Sequence, residues 1–166
     1  MDNVKATDKV RVQVRQNVEQ QKKFIFGITV YLGHTNAEGN VYFANFFEWQ
    51  GMAREEFYKT FVPNHMEILK RGVRIITVEA HIEFKNQLFL FDQVSIQVNT
   101  RNVRTASLEL VFSYKNKNTG ELVANGYQKL AFAGPDGKII PIPEEVKRNA
   151  KWFLIEEEPV SRVRSG

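Results

Sequence analysis

Residues 33–43, GHTNAEGNVYF, form the densest polar constellation in the chain, and they lead into an apolar run that reads as a helix. A glycine-bearing loop entering a helix N-terminus leaves backbone N–H groups unpaired, with the helix dipole behind them. Such a junction suits polarising a carbonyl and stabilising an oxyanion. Asn36 stands just before it, placed to hydrogen-bond a carbonyl or hold a water. The structural alternative for Asn36 is an ordinary turn-forming role. Arg54 lies inside the apolar run, where a charged group needs a partner or a ligand. Its structural alternatives are an ion pair with Glu48, Glu55 or Glu56, or a stem that snorkels to the surface. There is no nucleophile-elbow motif for a Ser-His-Asp triad and no metal-ligand spacing. His34, His65 and His81 are scattered and read as structural.

The elements that must position these groups come from a single ordinary domain. The chain has 166 residues, 43% apolar and 12% aromatic, which is long enough to bury a substantial core. The absence of cysteine excludes disulfides, thiolate metal sites and a cysteine nucleophile. No apolar run reaches the length of a membrane span. The first residues carry no apolar secretory core, so a cytoplasmic protein is expected. The net charge is +4, of which residues 1–23 hold +3. The body has no basic stripe interleaved with aromatics, so no nucleic-acid partner is expected. Local basic groups could receive an anionic carrier such as phosphopantetheine.

Phe24 to Tyr31 is β-branched and aromatic and predicts a strand. Leu32 to Asn40 is a loop. Val41 to Phe61 contains no proline and predicts one long helix, with Asn40 as its N-cap. Its apolar positions cover well over half the circumference, which predicts burial on all sides. Gly51 inside it predicts a close backbone contact. Past Gly72 the period becomes two. Strands are expected over 73–84, 94–100, 106–114 and 122–133, joined by hairpins, with 85–92 as a kink or connection. Pro141 to Glu145 opens a short C-terminal helix. Residues 1–21 are polar, a mobile tail or short extra helix. The expected class is α+β, with a sheet curled round one buried helix.

TNAEGNVYFANF at 35–46 and WQGMAREEF at 49–57 resemble the signature of hotdog-fold thioesterases of the 4-hydroxybenzoyl-CoA type. They are most like the branch associated with enediyne polyketide synthases. EAHIEFKNQLFLFD at 79–92 resembles that branch's downstream strand and turn. The resemblance spans Phe24 to Phe153. The hotdog thioesterase domain is expected over 23–156, followed by a tail over 157–166 and preceded by a polar N-terminal extension over 1–22, which is not a regular feature of the family. The resemblance implies a five-stranded antiparallel sheet wrapped around one long central helix. It also implies a homodimer or homotetramer with active sites between protomers. Most related thioesterases carry a catalytic Asp where this chain has Asn36; the enediyne branch has Asn there and relies on the helix arginine, here Arg54. The oxyanion donor by position is the Phe43 N–H. Enediyne members commonly have Tyr where this chain has Phe46.

The activity implied is hydrolysis of a polyketide or β-ketoacyl thioester on acyl carrier protein, with coenzyme A as the other carrier. The acyl chain would enter a tunnel lined by Tyr42, Phe43, Phe46 and Phe47, beside Gly39. Asn36 and Arg54 would hold the carbonyl, the attacking water or an enolate oxygen. An amide does not ionise near neutral pH, so water attack without a covalent intermediate is expected. The free 3-oxo acid could then lose CO2 to give a methyl ketone. No cofactor or metal is expected. The competing readings are a general acyl-CoA thioesterase and a non-catalytic acyl- or polyene-binding module.

Overall fold

In the computed structural model, residues 22–155 are described. The expected extension and tail therefore fall almost wholly outside the described residues. The chain order is β1 (Phe24–Thr29), α1 (Phe43–Phe61), α2 (His65–Lys70), β2 (Arg74–Phe84), β3 (Gln93–Arg101), β4 (Ser107–Asn116), β5 (Leu122–Ala133) and α3 (Glu144–Ala150). The five strands form one antiparallel sheet in the order β1-β3-β4-β5-β2. The expected α+β hotdog arrangement is present, and each expected strand is found.

The period-two pattern works as alternation should. Val94, Ile96 and Val98 of β3, and Leu108, Leu110, Phe112 and Tyr114 of β4, are buried against α1. The helix contributes Phe46, Trp49, Gln50, Ala53 and Phe57 to that interior. Phe57 packs edge-on to Phe24 and Phe153, and Phe61 packs on the same two rings.

Four expectations are corrected. First, β2 and β3 are not a hairpin. β2 lies on the far edge beside β5, while β3 pairs with β1, so residues 85–92 carry the chain across to the opposite half of the sheet. Period-two patterning identifies a strand but says nothing of its neighbour. Second, Asn40 does not cap the helix. The N-cap is Tyr42, without a side-chain cap, and Asn40 is drawn instead into a bridge with Phe89. Third, α1 is not covered on all sides: Tyr42, Phe43, Phe47 and Met52 face outward and are exposed. One curved sheet reaches only one face of a helix. Fourth, a Cβ at Gly51 would meet nothing within 4 Å. The short helix α2 is an element that the pattern after Pro63 does not announce.

A crowded glycine is Gly126 on β5. A Cβ there would stand 2.4 Å from the His81 carbonyl oxygen and 2.8 Å from Gln50 Nε2. Gly126→Ala should therefore cost about 1–3 kcal/mol of overpacking. Gly51→Ala should raise stability by up to about 1 kcal/mol through helix propensity. Urea denaturation should show the two midpoints moving in opposite directions.

Candidate active site

The loop before α1 is braced by its own backbone. Thr35 bridges Val41, the Asn36 N–H donates to the Asn40 carbonyl at 2.9 Å, and the Gly39 N–H donates to the Asn36 carbonyl at 3.0 Å. Gly39 sits at φ +84°, a conformation that suits glycine. Asn36 Oδ1 accepts the Glu38 N–H at 2.9 Å, closing an Asx turn. Its carboxamide is thereby fixed, and the Nδ2 donors have no partner among the described residues. The turn-forming role and a binding role are thus compatible, because they use opposite ends of one amide.

The His34 carbonyl accepts two hydrogen bonds from the start of α1. One comes from the Tyr42 N–H at 2.9 Å and one from Asn45 Nδ2 at 2.7 Å. Loop and helix are thus locked together. The Phe43 N–H, at the first helical position, has no partner among the described residues. It is an orphan donor at the positive end of the helix dipole. Asn36, Gly39, Tyr42 and Phe43 thus gather at one end of α1. Phe47 is exposed one turn further on. Phe46 is 3% exposed and packed between Trp49, Phe84 and Tyr114, so in the single chain it is core.

Arg54 stands eleven residues past Phe43, about 16 Å along the helix axis. It makes no ion pair with Glu48, Glu55 or Glu56 among the described residues. Its Nη1 donates to Thr77 Oγ1 at 2.8 Å and to Gln128 Oε1 at 3.1 Å. Gln128 Nε2 donates to Gln50 Oε1 at 2.9 Å, and Gln50 Nε2 reaches the His81 carbonyl at 3.4 Å. Gln50 is completely buried and Gln128 nearly so. Sequence reasoning missed these partners. The visible signals were a glutamine in an apolar helix and another at an inward position of β5. Thr77 gave none: it shares the inward side with Ile75, and the bulge between Thr77 and Glu79 breaks the single alternation that the strand would otherwise show.

Beside Arg54 lies a largely apolar groove of about 410 Å³. Val62, Ile68, Ile75, Phe132 and Val146 line it, with Tyr58 one helical turn from Arg54. The Tyr58 hydroxyl is buried and has no hydrogen-bond partner among the described residues. Burial pushes its phenol well above the usual value, against a smaller opposing effect of the Arg54 charge. Burial also raises Tyr114, partly offset by Gln50, and its hydroxyl donates to the Phe46 carbonyl at 3.1 Å. Of the histidines, His65 lines the groove, and the other two pack on aromatic neighbours. His34 Nδ1 accepts the Tyr31 N–H and its ring meets Trp49 edge-on, while His81 stacks on Tyr127.

Comparison with known proteins adds three findings. A family model described as the thioesterase-like superfamily matches residues 30–150. The 1,4-dihydroxy-2-naphthoyl-CoA hydrolase of Thermosynechococcus vestitus (strain NIES-2133 / IAM M-273 / BP-1) is 23% identical over 117 residues, 70% of this chain and 80% of that protein. Among solved structures, the dynemicin thioesterase was described for induced-fit and allosteric effects upon polyene binding. It superposes with a TM-score of 0.76 at 27% identity, covering 82% of this chain and all of that one. A gentisyl-coenzyme A thioesterase superposes at 0.68 and 26%, covering 76% of this chain and 99% of that one.

Tyr58 and Tyr114 carry a prediction. Their phenols titrate higher in the folded chain than the 10.0 of an unperturbed tyrosine. The unfolded chain therefore loses these protons first, and their stabilisation, complete below that value, fades as pH rises past it. Denaturation followed from about pH 8 to about pH 11 should show stability falling only at the alkaline end. Tyr58→Phe should lessen that fall. Near neutrality it should cost almost nothing, since the oxygen it removes has no partner.

Proposed function

The chain belongs to the thioesterase-like superfamily and is a thioester hydrolase, and we propose that its substrate is a β-ketoacyl thioester on a phosphopantetheine arm. The observation that carries this reading is the state of Arg54. Its Nη1 is occupied by protein, while Nε and Nη2 have no partner among the described residues and an apolar groove lies alongside. An arginine edge with two parallel donors matches two coplanar oxygens, and a β-ketoacyl group supplies them. The resemblance to the enediyne branch and the 27% identity to a polyene-binding thioesterase support the same reading. The groove would take the acyl chain.

In the proposed reaction the thioester carbonyl oxygen takes the Phe43 N–H, with the Asn36 Nδ2 donors beside it. Water attacks the carbonyl carbon and the oxygen gathers negative charge. The C–S bond then breaks, and the proton lost by the water ends on the departing sulfur. Asn36 cannot act as a base, so it serves by hydrogen bonding. Release gives a free 3-oxo acid, whose loss of CO2 gives a methyl ketone. Coenzyme A as carrier is the second reading, favoured by the naphthoyl-CoA hydrolase relative.

We further propose a homodimer, itself able to pair into a tetramer. The roughly 16 Å along α1 between Phe43 and Arg54 is too far for the junction and Arg54 of one chain to grip one thioester. Strand β2 is an edge, and α1 presents an uncovered apolar face. A second copy would bring Arg54 of one protomer to Asn36 of its partner.

Purified protein offered matched saturated and β-ketoacyl thioesters, on carrier protein and on coenzyme A, should release acid mainly from the carrier-bound β-keto chains. Tight retention without release would instead mean a binding module. Asn36→Ala and Arg54→Ala should each lower kcat on the β-ketoacyl substrate by about 100-fold or more. Mixing the two inactive variants should restore roughly a quarter of wild-type activity, because half the dimers are mixed and each then holds one intact site. No restoration would place both residues in the same protomer's site.

A further inference from the structure

Resting on that reading of Arg54, we infer that Gln128 and Thr77 are positioning residues, which lock Nη1 so that the Nε/Nη2 edge alone faces the substrate. An arginine carries five N–H donors and no acceptor. Both Nη1 hydrogens are spent, at 2.8 Å on Thr77 and 3.1 Å on Gln128. The remaining edge is the two-donor fork.

Three features exist to make that lock. Since Arg54 can only donate, Gln128 must turn its oxygen toward the guanidinium and its amide nitrogen toward Gln50. Gln50 must then turn its own nitrogen to the His81 carbonyl. One cation thus sets the orientation of two buried amides and ends on the backbone of β2. Gly126 clears the space, because any Cβ there would strike both Gln50 Nε2 and the His81 carbonyl. The bulge completes it. Thr77 pairs with Leu130 and Ala80 with Gln128, so one extra residue, Val78, is absorbed, and Thr77 and Ala80 share the helix-facing side. Without the extra residue, Thr77 and Ala80 would face opposite sides of the sheet.

A positioning role differs from a packing role in what it discriminates. A wandering guanidinium still supplies charge to one carbonyl oxygen but loses its match to two. The experiment compares kcat/KM for a β-ketoacyl thioester with that for the saturated thioester of equal length in Gln128→Leu and Thr77→Val. We expect the β-keto value to fall about tenfold, the scale of one hydrogen bond to a charged group, mostly in kcat. The saturated value should fall less than about threefold. In an Arg54→Lys background, which keeps charge but has no fork, Gln128→Leu should add less than about twofold. Equal losses on both substrates, or full additivity with Arg54→Lys, would overturn the inference. Gln128→Leu leaves Gln50 Oε1 unpaired in the core; if that variant does not fold, Thr77→Val carries the same comparison from an exposed position. Nitrogen-15 NMR of the Arg54 side chain reads the lock without turnover. Slow rotation about Cζ–Nη1 in the wild type, lost in Thr77→Val, supports it, and free rotation in the wild type overturns it. If no thioester is hydrolysed at all, the functional reading fails while this measurement still stands.

Discussion

An arginine donates and never accepts, and much of this structure is arranged around one that is half-buried. Arg54 enters the interior from α1 without a carboxylate partner among the described residues, and neutral oxygens meet its hydrogens there. Gln128 and Thr77 meet two of them. The orientation forced on Gln128 passes to Gln50 and then to the edge-strand backbone. Helix, inner strand and edge strand are joined through one polar line inside an otherwise apolar layer. The arrangement requires a residue without Cβ at 126 and an extra residue in β2. A buried polar line of this kind is costly when broken, because each amide in it would lose the partner that compensates its desolvation.

The second constraint is geometric. A single five-stranded sheet curves around one side of a 19-residue helix and leaves the other side bare. The aromatic residues there are the ones whose number made the helix look buried all round. The chemistry is divided in the same way. The unpaired Phe43 N–H and the fixed Asn36 amide belong to the helix N-terminus, while Arg54 and its groove belong to the C-terminal half.

The loop shows how a structural and a chemical role share one residue. Asn36 closes its turn through Oδ1, and that bond orients the nitrogen end outward. A carboxylate at this position could close the same turn but would have no donor left to offer. An amide at this position thus closes the turn of the junction and still offers a hydrogen-bond donor.

Composition and periodicity were enough to place the strands, the long helix and the polar junction, because alternation and helical spacing are local properties that burial of one face imposes on sequence. The motif around Asn36 and Arg54 was legible for the same reason, being contiguous along the chain. Strand order was not legible: residues 85–92 connect two strands in sequence whatever edge each ends on. The partners of Arg54 were hidden too. Gln128 lies 74 residues away, and Thr77 and Ala80 share the helix-facing side only because a bulge lies between them. The sequence by itself determined which residues carry charge, donors and apolar surface. Tertiary structure alone decided which of them meet, since a hydrogen bond across a sheet depends on register and bulge, and neither is written in the local pattern.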